Sequence, residues 1–528
     1  MTDTGSAWWR GAAIYQVYVR SFADGNGDGT GDLTGLRQHL PHIANLGVDA
    51  IWLCPWYPSP MADSGYDVSD YRDIEPSFGT LAEAEKFIEE AHSLGLKVII
   101  DIVPNHCSDQ HRWFKEAVAA GPGSPQREMF WFRPASPEPP NDWQSRFGGS
   151  AWSRVPDGEW YLHLYAPEQP DLNWENPVVH QEFREVLRFW FDRGVDGFRI
   201  DVADGLVKDS ALPDVNGRSE GQLPFSDMDG VHEIYREWRQ IADTYPDPRV
   251  FVGEMWLPDQ ERFARYLRPD ELHSAFNFDF LSCPLEAARL RAVIDSTLQA
   301  HALVGAPATW VLSNHDTTRH VTRYGRADTS FSFADRQQGA PTDLALGTRR
   351  ARAAALLSMS LPGGVYVYQG EELGLPEVED LPDEVRQDPV FSRTNGADPG
   401  RDGCRVPLPW DGEAQPYGFG GGETWLPQPD GWAEYTVTAE AADEGSMLRL
   451  YQQALRLRHE VPGLGDGTLT WLPSPDGVLT FAREEHFVCV LNLSDAAVDL
   501  PEHSEVLLAS DPLADGRLPA NTAVWLAR

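Results

Sequence analysis

Carboxylates, an arginine and two histidines recur through the middle of the chain at the ends of short apolar runs, and these are residue types that donate, accept and hold protons. The segments are Asp101-Ile102-Val103-Pro104-Asn105-His106, Gly197-Phe198-Arg199-Ile200-Asp201, Phe251-Val252-Gly253-Glu254 and Ser313-Asn314-His315-Asp316. Runs such as Lys97 to Ile102 and Arg249 to Gly253 read as short, fully buried strands, so each polar residue stands where a strand leaves its sheet. Parallel α/β enzymes place their chemistry there. Arg199 lies two residues before Asp201, on the same side of an extended chain, and is expected to hold that carboxylate ionised. An acid partner needs the opposite, a pKa raised by burial or by neighbouring like charge, and Glu254 is the candidate.

The elements that must position these groups alternate from the start. Ala12 to Val19 reads as a strand, Leu33 to Leu46 as a helix, Ala50 to Cys54 as a strand and Leu81 to Leu94 as an amphipathic helix leading to the strand that ends at Asp101. Further strands are expected over Val195 to Ile200, Val250 to Gly253, Ser274 to Phe278, Thr309 to Leu312 and Gly364 to Tyr368. Eight strands separated by helical patterns suit an α/β fold closed as a (β/α)8 TIM barrel. A stretch rich in Pro, Gly and Trp from Cys107 to Glu175 breaks the rhythm and is too long for a plain loop. Met447 to His459 reads as a closing helix, followed by short strands over Leu469 to Leu472, Val478 to Arg483, Phe487 to Leu493 and Glu505 to Leu508.

Four segments in this order and with these residue types resemble the signature of the α-amylase superfamily of glycoside hydrolases. Gln169-Pro170-Asp171-Leu172-Asn173 resembles the marker of its oligo-1,6-glucosidase and α-glucosidase branch. The likeness runs from Trp8 to about Trp410 and more faintly beyond. It implies a catalytic barrel over residues 1–106 and 176–460, an inserted subdomain over 107–175 roofing the site, and a C-terminal β-sandwich over 461–528. It also implies Asp201 as nucleophile, Glu254 as acid/base and Asp316 as a third acid on the sugar 2- and 3-hydroxyls, with His106 and His315 donating to sugar hydroxyls. Gly65-Tyr66-Asp67 resembles a segment whose Tyr stacks under the terminal glucose and whose Asp binds its 4-hydroxyl. Gly400-Arg401-Asp402-Gly403-Cys404-Arg405 resembles a stretch whose first Arg pairs with that Asp, although Gly403 and Pro409 replace the usual Asn and Gln. An Asp67–Arg401 pair is therefore expected to close the pocket and make the enzyme exo-acting. The expected activity is that of a retaining α-glucosidase on maltose-type and isomaltose-type oligosaccharides. Val202, after the nucleophile, is the residue typical of 1,6-cleaving members, whereas Ala203-Asp204-Gly205-Leu206 departs from their continuation, so linkage stays open. An oligo-1,6-glucosidase proper, or a transglucosylase resembling trehalose or isomaltulose synthases, is the alternative. A non-catalytic barrel relative is disfavoured because Asp201, Glu254 and Asp316 are all present, and a metal-dependent barrel hydrolase because no His-x-His follows the first strand.

Asp24-Gly25-Asn26-Gly27-Asp28-Gly29-Thr30-Gly31-Asp32 sets oxygen donors at alternate positions, like the first nine positions of an EF-hand loop with Thr30 offering its carbonyl. The resembling family binds calcium here, so structural Ca2+ is expected on Asp24, Asn26, Asp28, Thr30 and Asp32. A 528-residue chain implies two or three domains, and 41% hydrophobic residues with 19 Trp and 23 Phe is a globular composition. Eighty-one acids against 43 bases leave a formal charge of −38, which opposes nucleic acids and anionic membranes and suits a small neutral oligosaccharide. Cys54, Cys107, Cys283, Cys404 and Cys489 show neither a metal spacing nor a disulfide framework. Met1 to Ser6 carries no charged and apolar signal pattern, and no apolar run reaches membrane-spanning length. A cytoplasmic monomer or homodimer is expected.

Overall fold

The continuous apolar runs become strands buried on both faces, as parallel sheets require. In this computed structural model, which describes residues 7–528, they are β1 (Ala13–Val17), β2 (Ala50–Leu53), β3 (Lys97–Ile102), β4 (Gly197–Ile200), β5 (Val250–Gly253), β6 (Ser274–Ala275), β7 (Thr309–Val311) and β8 (Gly364–Tyr368). The Met1 to Ser6 segment, expected to carry no secretory signal, lies outside the described residues. All eight strands pair in parallel in the order β7-β8-β1-β2-β3-β4-β5-β6, and the first strand joins the last through Ala13 opposite Val365. The interval between β6 and β7 has no ladder; the Thr309 hydroxyl donates to the Ala275 carbonyl across it. Alternate residues such as Ile14, Trp52, Ile99 and Val252 fill the barrel, while Tyr15, Ile51, Val98 and Phe251 pack against the helices outside.

Helix signals in the sequence are read locally. Thr80 and Glu83 form a reciprocal capping box at the start of Leu81–Ser93, and Ala84, Phe87, Ile88 and Ala91 are its buried face. The single helix expected over Leu33 to Leu46 is instead two, Leu33–Gln38 and Leu40–Leu46. Pro41 cannot donate to the carbonyl four residues back and its ring clashes there, so the chain restarts with proline in the first turn.

Between β3 and β4 lie the helix Arg112–Ala120 and a three-stranded antiparallel sheet of Phe132–Arg133, Trp160–Leu162 and Trp152–Arg154. Trp131, Trp143, Trp152 and Leu162 form its core together with Leu212, Leu223 and Phe225 from the loop after β4. Its end is tied back to the barrel, where Leu172 N donates to Asn105 O at 3.0 Å. After the helix Met447–Glu460, the C-terminal residues form one five-stranded antiparallel sheet, Thr470–Trp471, Val478–Arg483, Phe487–Asn492, Glu505–Ala509 and Thr522–Ala527. One face covers the helix Leu344–Ser360, with Trp525 Nε1 donating to Leu356 O, and loop residues Val498, Leu513 and Leu518 cover the other. All five cysteines are buried and unpaired. No helix among the described residues is long and apolar enough to cross a membrane.

Candidate active site

The register of β3, β4 and β5 brings the first three acids together. Asp101 lies opposite Arg199 and Ile200 opposite Gly253, so Asp201 and Glu254 emerge side by side where the strands end. Arg199, 2% exposed, spans the group: Nη1 donates to Asp101 Oδ1 at 2.8 Å and to Asp201 Oδ1 at 2.7 Å, and Nη2 meets Glu254 Oε2 at 2.7 Å. Val202 turns the chain at φ +48°, a left-handed conformation that β-branched residues avoid, and its N–H reaches Glu254 Oε2 at 3.2 Å.

Arg199 pairs with Asp201 as expected, but it is shared with Asp101 and Glu254. Burial raises the Asp201 carboxyl well above the usual range, Arg199 opposes it, and the charges of Glu254 and Asp101 add to the rise. Asp101 is likewise pushed up to about 7 by burial, over the opposing pull of Arg199. A proton taken up by these acids belongs to the set rather than to one oxygen.

The facing wall comes from the loops after β2, β7 and β8. Tyr66 donates to Asp101 Oδ2 at 3.1 Å and meets His315 Nε2 at 2.6 Å, while Gln16 Nε2 meets His315 Nδ1 at 2.7 Å. These contacts are mutually consistent when Nδ1 accepts from Gln16 and Nε2–H donates to Tyr66. Burial pushes the His315 pKa down to about 3, so the ring is neutral. Asp316 Oδ1 accepts from Arg405 Nη2 at 2.8 Å and Arg401 Nη1 at 3.2 Å. Burial opposes ionisation of Asp316, but the charges of Arg401 and Arg405 outweigh it and hold the carboxyl well below the usual range.

The expected Asp67–Arg401 pair is not formed. Asp67 is fully buried and accepts from Ser59 Oγ at 2.8 Å, Ala62 N at 2.9 Å and Asp63 N at 3.0 Å, so it pins its own loop and does not line the cavity. Arg401 Nη2 donates instead to Asp63 Oδ1 at 2.6 Å, and its Nε to Asp388 Oδ2 at 2.5 Å. Left-handed Met61, Ser64 and Gly65, at φ +64°, +54° and +105°, fold the loop so that Asp63 rather than Asp67 faces the arginine.

His106 stands between two side-chain amides, Asn105 Nδ2 at 3.0 Å from Nδ1 and Gln169 Nε2 at 3.0 Å from Nε2, and burial lowers its pKa to about 4. The fully buried Lys208 donates to Asn105 Oδ1 at 2.7 Å and pairs with Asp171 at 2.8 Å, locking the Gln169-to-Asn173 segment onto the loop that follows β3. A cavity of about 630 Å3 is lined by Asp63, Tyr66, His106, Asp201, Glu254, Asp316 and Arg401, and by aromatic residues at its mouth, Trp256, Phe278 and Phe333. Trp256 stacks on Phe278 with centroids 3.7 Å apart and is 39% exposed. Asp63 and Asp388 were not singled out by sequence reasoning, since a turn aspartate and a loop aspartate carry no local pattern that marks them; Arg405 was quoted as the end of the Gly400-to-Arg405 stretch, without a role.

The Asp24 to Asp32 loop lies away from the cavity, with Asp24 N donating to Phe419 O. Its side chains cap its own backbone: Asp24 Oδ1 accepts from Asn26 N and Gly27 N, Asn26 Oδ1 from Asp28 N, Asp28 Oδ1 from Thr30 N and Asp32 Oδ1 from Gly35 N. Among the described residues no three carboxyl, imidazole or thiol groups are gathered closely enough to hold an ion by themselves.

Residues 16–467 match the alpha-amylase catalytic domain, and residues 478–525 match a domain described as of unknown function, DUF3459. A probable alpha-glucosidase of Rhizobium meliloti is 37% identical over 522 residues, covering 93% of this chain and 90% of that protein. A trehalose-6-phosphate hydrolase of Escherichia coli is 37% identical over 92% of this chain and 91% of its own. Among solved structures, an alpha-glucosyl transfer enzyme superposes with a TM-score of 0.87 at 35% identity and covers 99% of both chains.

Proposed function

Because this chain belongs to the alpha-amylase family of glycoside hydrolases, we propose that it is a retaining, exo-acting α-glucosidase that releases α-glucose from the non-reducing end of short, neutral α-glucosides. The observation that carries this reading is the single guanidinium of Arg199, whose adjacent nitrogens hold Asp201 and Glu254 at 2.7 Å each. That bridging suits the close spacing of about 5–5.5 Å at which one carboxylate attacks carbon while the other moves a proton.

In the reaction, Asp201 bonds to C1 as Glu254 protonates the departing glycosidic oxygen. Glu254 then takes a proton from water, whose oxygen displaces Asp201 and restores the α configuration. Asp63 and Arg401, the latter held from behind by Asp388, close one end of the cavity, so that a chain end enters and an internal unit does not. Tyr66, His106 and Asp316 meet the terminal sugar, and fully buried His315, with both ring nitrogens engaged, backs Tyr66. The second reading is a transglucosylase: half-exposed Trp256 and Phe333 at the mouth offer an acceptor a surface to rest on in competition with water.

Time-resolved NMR of products from maltose, isomaltose, sucrose and trehalose tests both. Early α-glucose from maltose or isomaltose is expected, and β-glucose as the first product overturns retention. Isomerised or lengthened sugar as the main product selects the second reading.

Calcium on Asp24, Asn26, Asp28, the Thr30 carbonyl and Asp32 remains part of the proposal, supported by an all-oxygen donor set on a loop already coiled by its own side chains. A chelator is expected to lower the melting temperature, and an unchanged melt counts against the ion. A reducing, cytoplasmic setting fits five buried, unpaired thiols. The chain is proposed to work as a monomer or homodimer.

A further inference from the structure

Arg405 does not line the cavity, yet every nitrogen of its fully buried guanidinium is engaged. Nε donates to His315 O at 2.8 Å, Nη1 to Ser64 Oγ at 3.1 Å and Nη2 to Asp316 Oδ1 at 2.8 Å. The charge distribution separates it from Arg401. Arg401 is shared among Asp63, Asp388 and Asp316, whereas Asp316 is the one carboxylate paired with Arg405 among the described residues.

We propose that Arg405 is the positioning residue for Asp316, its dedicated counter-ion and the brace that fixes which carboxylate oxygen meets the sugar. Both guanidinium bonds fall on Oδ1, and among the described residues Oδ2 has only the His315 ring, at 3.5 Å. Turning the carboxylate would leave a buried cation without its partner, which is far costlier than losing an exposed pair. The planar fork matters as much as the charge, because its three directions reach a backbone carbonyl, a hydroxyl and a carboxylate at once, a geometry an ammonium cannot copy. Through Ser64 the same side chain ties the loop that carries Asp63 and Tyr66 to the His315–Asp316 turn, so the two walls of the sugar pocket are held in one register.

The inference rests on the reading of Asp316 as the acid that binds the sugar in α-glucoside hydrolysis. Its test is a double-mutant cycle on maltose or isomaltose, with kcat and KM measured from about pH 4 to about pH 8 for the wild type, R405K, R405Q, D316N and R405Q/D316N. R405Q is expected to lower kcat by about 30-fold or more with KM changed about 3-fold or less, and to move the acid limb to higher pH, because Asp316 left with Arg401 alone protonates earlier. R405K keeps the charge, so its acid limb stays near the wild type while kcat falls about 10-fold through loss of the fork. In the D316N background R405Q should cost about 3-fold or less. An R405Q effect equally large in both backgrounds, or an acid limb that does not move, overturns the proposal. If R405Q does not fold, R405K and R405K/D316N decide by the same additivity criterion. A wild type that releases no glucose from either sugar overturns the activity reading and this inference with it; an active wild type with an additive cycle overturns this inference alone.

Discussion

Asp201 and Glu254 share one guanidinium but not one task, and substitutions separate them. Glu254→Gln keeps the shape of the side chain and removes the proton, so turnover of maltose should fall about 10²–10⁴-fold. A 4-nitrophenyl glucoside, whose leaving group needs little protonation, should lose far less; equal losses on both substrates would remove Glu254 from the acid role. Asp63 and Asp67, four residues apart, are expected to diverge in the same way. Asp63→Ala leaves Arg401 without one of its buried partners at the closed end of the cavity and should cut kcat/KM on maltose by about 100-fold or more. Asp67→Ala removes the acceptor of three loop hydrogen bonds, each worth about 1 kcal/mol, and should act mainly on the melting temperature. Kinetics and thermal melts on the two variants check both statements.

The turn after β4 is the element under strain. Val202 at φ +48° costs about 1–3 kcal/mol relative to a relaxed conformation, and the N–H it presents to Glu254 is what the strain secures. Val202→Gly should therefore gain about 1 kcal/mol or less, because the added freedom of the unfolded glycine offsets part of the relief, while turnover falls as the turn loosens. Calorimetry with parallel kinetics tests this, and a variant both less stable and fully active would refute it. Strain of this kind marks the boundary of what sequence reading reached. The eight strands and the acids at their ends were legible because buried parallel strands need unbroken apolar runs, and a polar residue closing such a run stands out. The helix break at His39 was available in Pro41 and was passed over. The Asp63–Arg401 contact was not available, because it depends on three residues of one loop, Met61, Ser64 and Gly65, adopting left-handed conformations that no spacing announces. Arg405 was quoted in its motif, but its role was not legible for a related reason: it lies in contacts with residues 64, 315 and 316, all distant in sequence.

At the scale of the whole molecule the formal charge of −38 is the dominant electrostatic fact, since self-repulsion of a compact body of one sign opposes folding. Raising salt from about 0.1 M to about 1 M shortens the screening length from about 10 Å to about 3 Å. The melting temperature should rise over that range at fixed pH, because exposed ion pairs contribute only about 0–1 kcal/mol each and their weakening is the smaller term. A flat or falling melting temperature would show that the acids are already compensated locally. The helix Leu344–Ser360 has a run of eight consecutive buried residues from Ala353 to Ser360, enclosed between the barrel and the C-terminal sheet. Trp525 Nε1 donates to Leu356 O, Arg483 Nη1 to Ser360 O and Arg352 Nε to Ser510 O across that contact. The strand that seals this helix, Thr522–Ala527, is synthesised only after every strand of the barrel. Until about residue 525 clears the exit tunnel, the nascent barrel carries an apolar helix with one face uncovered, and a chain arrested before that strand would present that face to chaperones and proteases.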